Sequence, residues 1–277
     1  MASIMAAMRR ISSRQNPLVA RFRDRARARG SDGTVLLDGE HLVEEALDAG
    51  IRLDTVAFAE RIVDSRADGL VARVERAGAQ TVKVPDQVLN AMSPARQPSG
   101  IVALAVHGPT TLAHVLHGSR PLVLVLDGIQ DAGNVGAIVR AADGCGASGV
   151  ITTAGTADPF GWKALRGAMG STFRVPIAVK QRAAETVAEI KRAGLAIIAT
   201  VPREGTPLAD CDLTRPAAIV LGAEGSGLSG DLIAAADERV TIPMRPPVES
   251  LNVAITAALM LYEASQQRTH PRHVAVR

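Results

Sequence analysis

The chain has 277 residues, a formal net charge of +3 and an isoelectric point of about 9.2; 47% of its residues are apolar and only 2% aromatic. That length accommodates two ordinary domains, each with its own core. So few aromatics disfavour a β-sandwich or barrel, and also a stacking platform for single-stranded nucleic acid, and point to packed α/β layers.

The first elements read as a basic segment. Arg9, Arg10, Arg14, Arg21, Arg23, Arg25, Arg27 and Arg29 stand against a single acid, Asp24. This is either a footprint for a phosphate backbone or a solvated, frayed N-terminal arm. Residues 11–107 then alternate short apolar runs with amphipathic segments: "VLL", a helical "EHLVEEALDAG", "LDTVAFA", a helical "ADGLVARVERAG", "QTVKVP", a short helix at "DQVLNAM", and "GIVALAV". Gly or Pro punctuates each helix, and the series predicts a small α/β domain. The polar, Pro-containing residues 108–120 form the expected linker.

A second series spans residues 121–265. It opens on "LVLVLDG", a continuous apolar run of the kind buried on both faces of a parallel sheet, and closes on a long helix in "SLNVAITAALMLYEAS". Residues 266–277 read as a polar, loosely attached tail. Cys145 and Cys211 lie far apart and suggest neither a disulfide framework nor a metal pattern, which fits a reducing cytoplasm. The histidines show no metal-ligand spacing. No apolar run approaches the roughly 20 residues of a membrane span, and "MASIMAAMRR" lacks a signal-peptide core. The expectation is a soluble cytoplasmic protein without metal or membrane partner.

Three polar clusters fall at strand ends of the second domain, where open α/β sheets bind ligands. In "GIQDAGNVGAIVRAADG", Asn134 is placed to cap the helix that carries Arg140 on an otherwise apolar face, and Gly136 permits close approach. In "LGAEGSGLSG", Glu224 sits in a glycine loop. In "VTIPMRPPVESLNVAITAALML", Ser250 or Glu249 caps the last helix and Asn252 lies in its first turn. The glycine loop contains a literal G-x-G-x-x-G, which raises a dinucleotide-binding reading and a nicotinamide enzyme. Its position late in the strand series, the carboxylate of Glu224 beside the first glycine, and the misplaced acid Glu249 all argue against that reading.

In order and spacing the clusters, N-x-G-x-x-x-R at residues 134–140, L-G-x-E-G-x-G at 221–227 and I-P-M…S-L-N-V at 242–253, together with "LRGAMGSTFRVP", resemble the SpoU (TrmH-type) RNA 2′-O-ribose methyltransferases of the SPOUT superfamily. Residues 11–107 are similar to the ribosomal-protein-like substrate-binding domain that often precedes that catalytic domain. Many relatives carry Pro where this chain has Ala132. The resemblance implies a parallel-sheet domain with a deep trefoil knot, S-adenosylmethionine as cofactor, a homodimer and an RNA substrate, ribosomal RNA ahead of transfer RNA. It assigns catalysis to Arg140, oriented by Asn134, Glu224, Ser250 and Asn252. It assigns the cofactor to Thr200, Val201, Gly222, Ile242, Met244 and Leu251. RNA contacts are expected at Arg14, Asn16, Arg166 and Arg174. A non-catalytic RNA-binding protein on the same fold is the competing reading.

Overall fold

A computed structural model of the chain describes residues 8–27, 33–63, 68–225 and 227–270. Arg29 of the basic segment and the last seven residues of the expected tail lie outside them. The elements, in chain order, are β1 (Arg9–Arg10), α1 (Pro17–Arg27), β2 (Thr34–Asp38), α2 (Glu40–Asp48), β3 (Arg52–Ala59), α3 (Glu60–Val63), α4 (Asp68–Arg76), β4 (Gln80–Val84), α5 (Asp86–Met92), β5 (Ile101–Val106), α6 (Leu112–Leu116), β6 (Leu122–Asp127), α7 (Ala132–Gly144), β7 (Gly149–Thr153), α8 (Trp162–Ala168), β8 (Ile177–Gln181), α9 (Ala183–Arg192), β9 (Ala196–Thr200), β10 (Thr206–Pro207), β11 (Ala217–Gly222), α10 (Gly230–Ala235), β12 (Glu238–Thr241) and α11 (Val253–Thr269). They form two compact units. The first holds the described residues up to Gly108 together with Phe160–Arg174, and the second holds Pro109–Pro159 and the described residues from Val175 onward.

The first unit carries a mixed sheet of order β1-β4-β3-β5-β2, with β5 antiparallel to both neighbours. Its core gathers Phe22, Leu36, Val82, Val88 and Leu104, and Trp162 packs against it. The basic segment is not a frayed arm among the described residues: Arg9 and Arg10 pair with β4, and α1 buries Val19 and Phe22. Pro17 at the first position of α1 needs no N–H partner, Asn16 Oδ1 accepts from Leu18 N–H at 3.0 Å, and Arg25 and Arg27 complement the helix C-terminus. The excursion Phe160–Arg174 is fastened within this unit. Arg174 pairs with Glu45, and His107 Nε2 lies 3.0 Å from the Thr172 carbonyl, its ring edge-on to Phe160 and Phe173. Burial holds the His107 imidazole below its ordinary value.

The second unit is a fully parallel sheet of order β10-β12-β9-β11-β6-β7-β8. Every residue of β6 is buried, which explains its uninterrupted apolar run. Val123, Val125, Ile151, Ile197, Val220 and Leu232 form the core on one face, and α7 packs on α11. Residues 266–269 of the expected loose tail belong instead to α11, which continues to Thr269. Gln267 is buried, accepts from Leu213 N–H at 2.9 Å and donates to the Cys211 carbonyl at 3.0 Å. Arg268 donates to the carbonyls of Leu213, Arg120 and Arg215. Cys145 and Cys211 are free thiols, and burial, then Glu238, pushes Cys211 up to about 12. No helix among the described residues is long and apolar enough to cross a membrane.

Candidate active site

The second unit places β6, β9, β11 and β12 side by side, so the residues that follow their C-terminal ends meet at one edge. A cavity of about 400 Å³ opens there, within the roughly 300–1,000 Å³ of small-molecule sites. Thr200, Val201, Gly222, Ile242, Met244 and Leu251 all line it, as do Glu224 and Ser250. Thr200 is held in place by its hydroxyl, which donates to the Val220 carbonyl at 2.9 Å. Gly222 tolerates no side chain, since a Cβ there would lie 2.5 Å from the Gly227 carbonyl carbon. The loop closes on itself through reciprocal backbone bonds between Ala223 and Gly227.

Glu224 is the convergence point. Its Oε1 accepts from Asn134 Nδ2 at 3.0 Å, from Asn252 Nδ2 at 3.1 Å and from Val253 N–H at 3.4 Å, while Asn252 Nδ2 also donates to Asn134 Oδ1 at 3.1 Å. Three separate stretches of chain are thus tied through one carboxylate oxygen. Both helix caps differ from expectation. Asp131, extended at φ −80° and ψ 116°, caps α7 by accepting from Asn134 N–H at 2.8 Å, which leaves the Asn134 amide for Glu224. Asn252, not Ser250 or Glu249, caps α11, its Oδ1 accepting from Ala254 and Ile255 N–H. Ser250 forms no hydrogen bond among the described residues and stands at the cavity wall.

Arg140 does not lie on the apolar face of α7. Val135, Ile138, Val139 and Ala142 are buried, whereas Arg140 is exposed, one turn from exposed Ala137. Nor does it line the cavity. Gly136 is buried in α7, which packs on α11. The four expected RNA contacts all fall in the first unit. Arg14 is exposed and donates to the Gln87 carbonyl at 3.0 Å, and Arg166 is exposed on α8. Asn16 spends its side chain on the cap of α1, and Arg174 is engaged by Glu45.

Sequence reasoning missed Asp127. Buried at the end of β6, it accepts from Thr153 Oγ1 and from Ser229 N–H, both at 2.7 Å, and so fastens the far end of the glycine loop. Its signal was available: a carboxylate ending a fully apolar strand must find donors. Thr256 and Met260 of α11 also line the cavity, four residues apart on the helix whose cap is Asn252.

Among the described residues the cavity walls include two carboxylates, Glu224 and Glu249, and no Lys or Arg. A pyrophosphate is poorly served by such walls, whereas a cationic nucleoside is not repelled. The glycine loop is therefore not built for a dinucleotide. No cluster of potential metal ligands occurs among the described residues.

Residues 121–262 match the model of the SpoU rRNA Methylase family, and residues 16–103 match an MRM3-like substrate binding domain. An uncharacterized tRNA/rRNA methyltransferase of Synechocystis sp. is 35% identical, with 93% of this chain and 94% of that protein covered. The 23S rRNA (guanosine(2553)-2′-O)-methyltransferase RlmP of Bacillus subtilis is 31% identical, with 92% and 98% covered. The AdoMet-bound rRNA methyltransferase of Sinorhizobium meliloti superposes with a TM-score of 0.79 at 26% identity, covering 95% of this chain and 98% of that one. The chain belongs to the SpoU rRNA methylase family.

Proposed function

We propose that the protein transfers a methyl group from S-adenosylmethionine to a ribose 2′-hydroxyl of structured RNA, ribosomal RNA foremost. The observation that carries this reading is the joining of Asn134, Glu224 and Asn252 at a cavity lined by all six residues expected to hold the cofactor. Family membership and the name of the B. subtilis relative support the reaction and the RNA class.

The cavity residues suit the cofactor. Ile242, Met244 and Leu251 offer apolar walls, and the bare backbone at Gly222 allows close approach. When bound, S-adenosylmethionine supplies an electrophilic methyl on a sulfonium, a charge that Glu224 attracts. Asn134 and Asn252 hold the Glu224 carboxylate by one oxygen, which leaves the other for a ligand donor. Arg140 carries a guanidinium, a group effectively always protonated in proteins, and nothing buries it here. Its role is to clamp the ribose oxygen and adjacent phosphate and to stabilise negative charge developing on that oxygen as it attacks the methyl and its proton passes to solvent water. Residues 121–265 apart from Phe160–Arg174 perform catalysis, and residues 11–107 together with Phe160–Arg174 select RNA, with Arg14 and Arg166 as phosphate contacts. Asn16 and Arg174 act there by holding the basic surface in shape.

A homodimer and a trefoil knot belong to the same reading. The dimer is supported by Ile255, Leu259 and Tyr262, large apolar side chains exposed along one face of α11, the helix that Asn252 caps. Calorimetric titration of the full chain with S-adenosylmethionine tests the cofactor assignment. Saturable binding at one site per chain is expected, and no heat at millimolar cofactor would remove the reading.

A further inference from the structure

The cavity of about 400 Å³ does not end at its own walls. It shares Pro202, Ile242, Met244 and Glu249 with a neighbouring cavity of about 540 Å³, which Arg203 and several prolines complete. Among the described residues the annex has no wall in common with the glycine loop, so it extends the site on the side away from Glu224. It also adds the cation that the first cavity lacks. Arg203 Nη2 lies 3.5 Å from Glu249 Oε1, which brings together the stretch after β9 and the stretch before α11.

This pair is loose. Its side chains are 72% and 81% exposed, a setting in which ion pairs contribute little to folding and separate at little cost. A guanidinium and a carboxylate side by side, next to an apolar pocket, present the two charges that complement an α-amino acid. We infer that Arg203 and Glu249 part to receive the amino-acid end of the cofactor, with Arg203 taking the carboxylate and Glu249 the ammonium. A guanidinium fork suits a carboxylate in bidentate fashion, and the carboxylate of Glu249 accepts from an ammonium. The inference rests on the cofactor reading of the main cavity and adds which end of the ligand enters the annex. Each residue exchanges one partner for another of the same charge, so ligand entry leaves no charge unpaired.

The test uses the full chain with two probes: S-adenosylhomocysteine, and 5′-methylthioadenosine, which keeps the nucleoside and thioether but lacks the amino-acid end. Calorimetry on Arg203→Ala and Glu249→Gln is expected to show about tenfold weaker binding of the first probe in each variant, with the second unchanged. Unchanged binding of methylthioadenosine also certifies that the variants fold. Equal losses for both probes, or no loss for S-adenosylhomocysteine, would overturn the inference. Wild-type protein that binds neither probe would instead overturn the cofactor reading, and the inference with it.

Discussion

One oxygen of Glu224 receives an amide proton from each of Asn134 and Asn252, and this arrangement fixes what each residue can do. Asn252 Oδ1 is committed to the cap of α11, so its Nδ2 must face Glu224. Arg140 stands outside the triangle, exposed on α7, and does not line the cavity. Replacement Arg140→Ala is therefore expected to lower methyl transfer by about a hundredfold or more, as for loss of a charge-stabilising donor. Cofactor affinity by calorimetry should stay at the wild-type value, and wild-type turnover would remove Arg140 from the mechanism. The residue types at the site were legible in the three motifs, but their local duties were not. Which residue caps a helix depends on which one stays extended before it, and Asp131 and Asn252 take that role through backbone geometry that composition does not display.

Among the elements, α11 joins site and stability, and in the proposed dimer it carries the exposed apolar stripe. Its start carries Asn252, and its end is stapled to the segment before β11 through Gln267 and Arg268. Gln267→Ala would leave the Leu213 N–H and the Cys211 carbonyl without side-chain partners in a buried setting. The expected cost is about 1–3 kcal/mol, measured as a shift in the urea midpoint at constant slope. An unchanged midpoint would mean that water replaces the staple. The outward stripe of Ile255, Leu259 and Tyr262 makes a different prediction. Leu259→Asp should convert a dimer to monomer in sedimentation velocity, and a monomeric wild type would remove the dimer proposal. The helix itself was plain from its apolar spacing, yet its last turn read as tail because glutamine and arginine look solvated in sequence. Helix α1 was hidden for a similar reason, since only Val19 and Phe22 of its arginine-rich stretch are fully buried.

At the scale of the molecule, the α/β class and the parallel second sheet were legible because β6, β9 and β11 are apolar runs separated by helical periods. The mixed order of the first sheet and the membership of Phe160–Arg174 in the first unit were not. Both depend on contacts between residues far apart in sequence, such as Arg174 with Glu45. In consequence Arg166 and Arg174, which lie within residues 121–265 in sequence, belong to the same unit as the basic residues Arg14 and Arg21. The most direct test of the whole account is to map ribose methylation in ribosomal and transfer RNA incubated with the protein and S-adenosylmethionine. A new 2′-O-methyl group is expected at a defined nucleotide of ribosomal RNA, absent when cofactor is withheld. Methyl groups appearing only on bases, or none in any RNA despite measured cofactor binding, would contradict it.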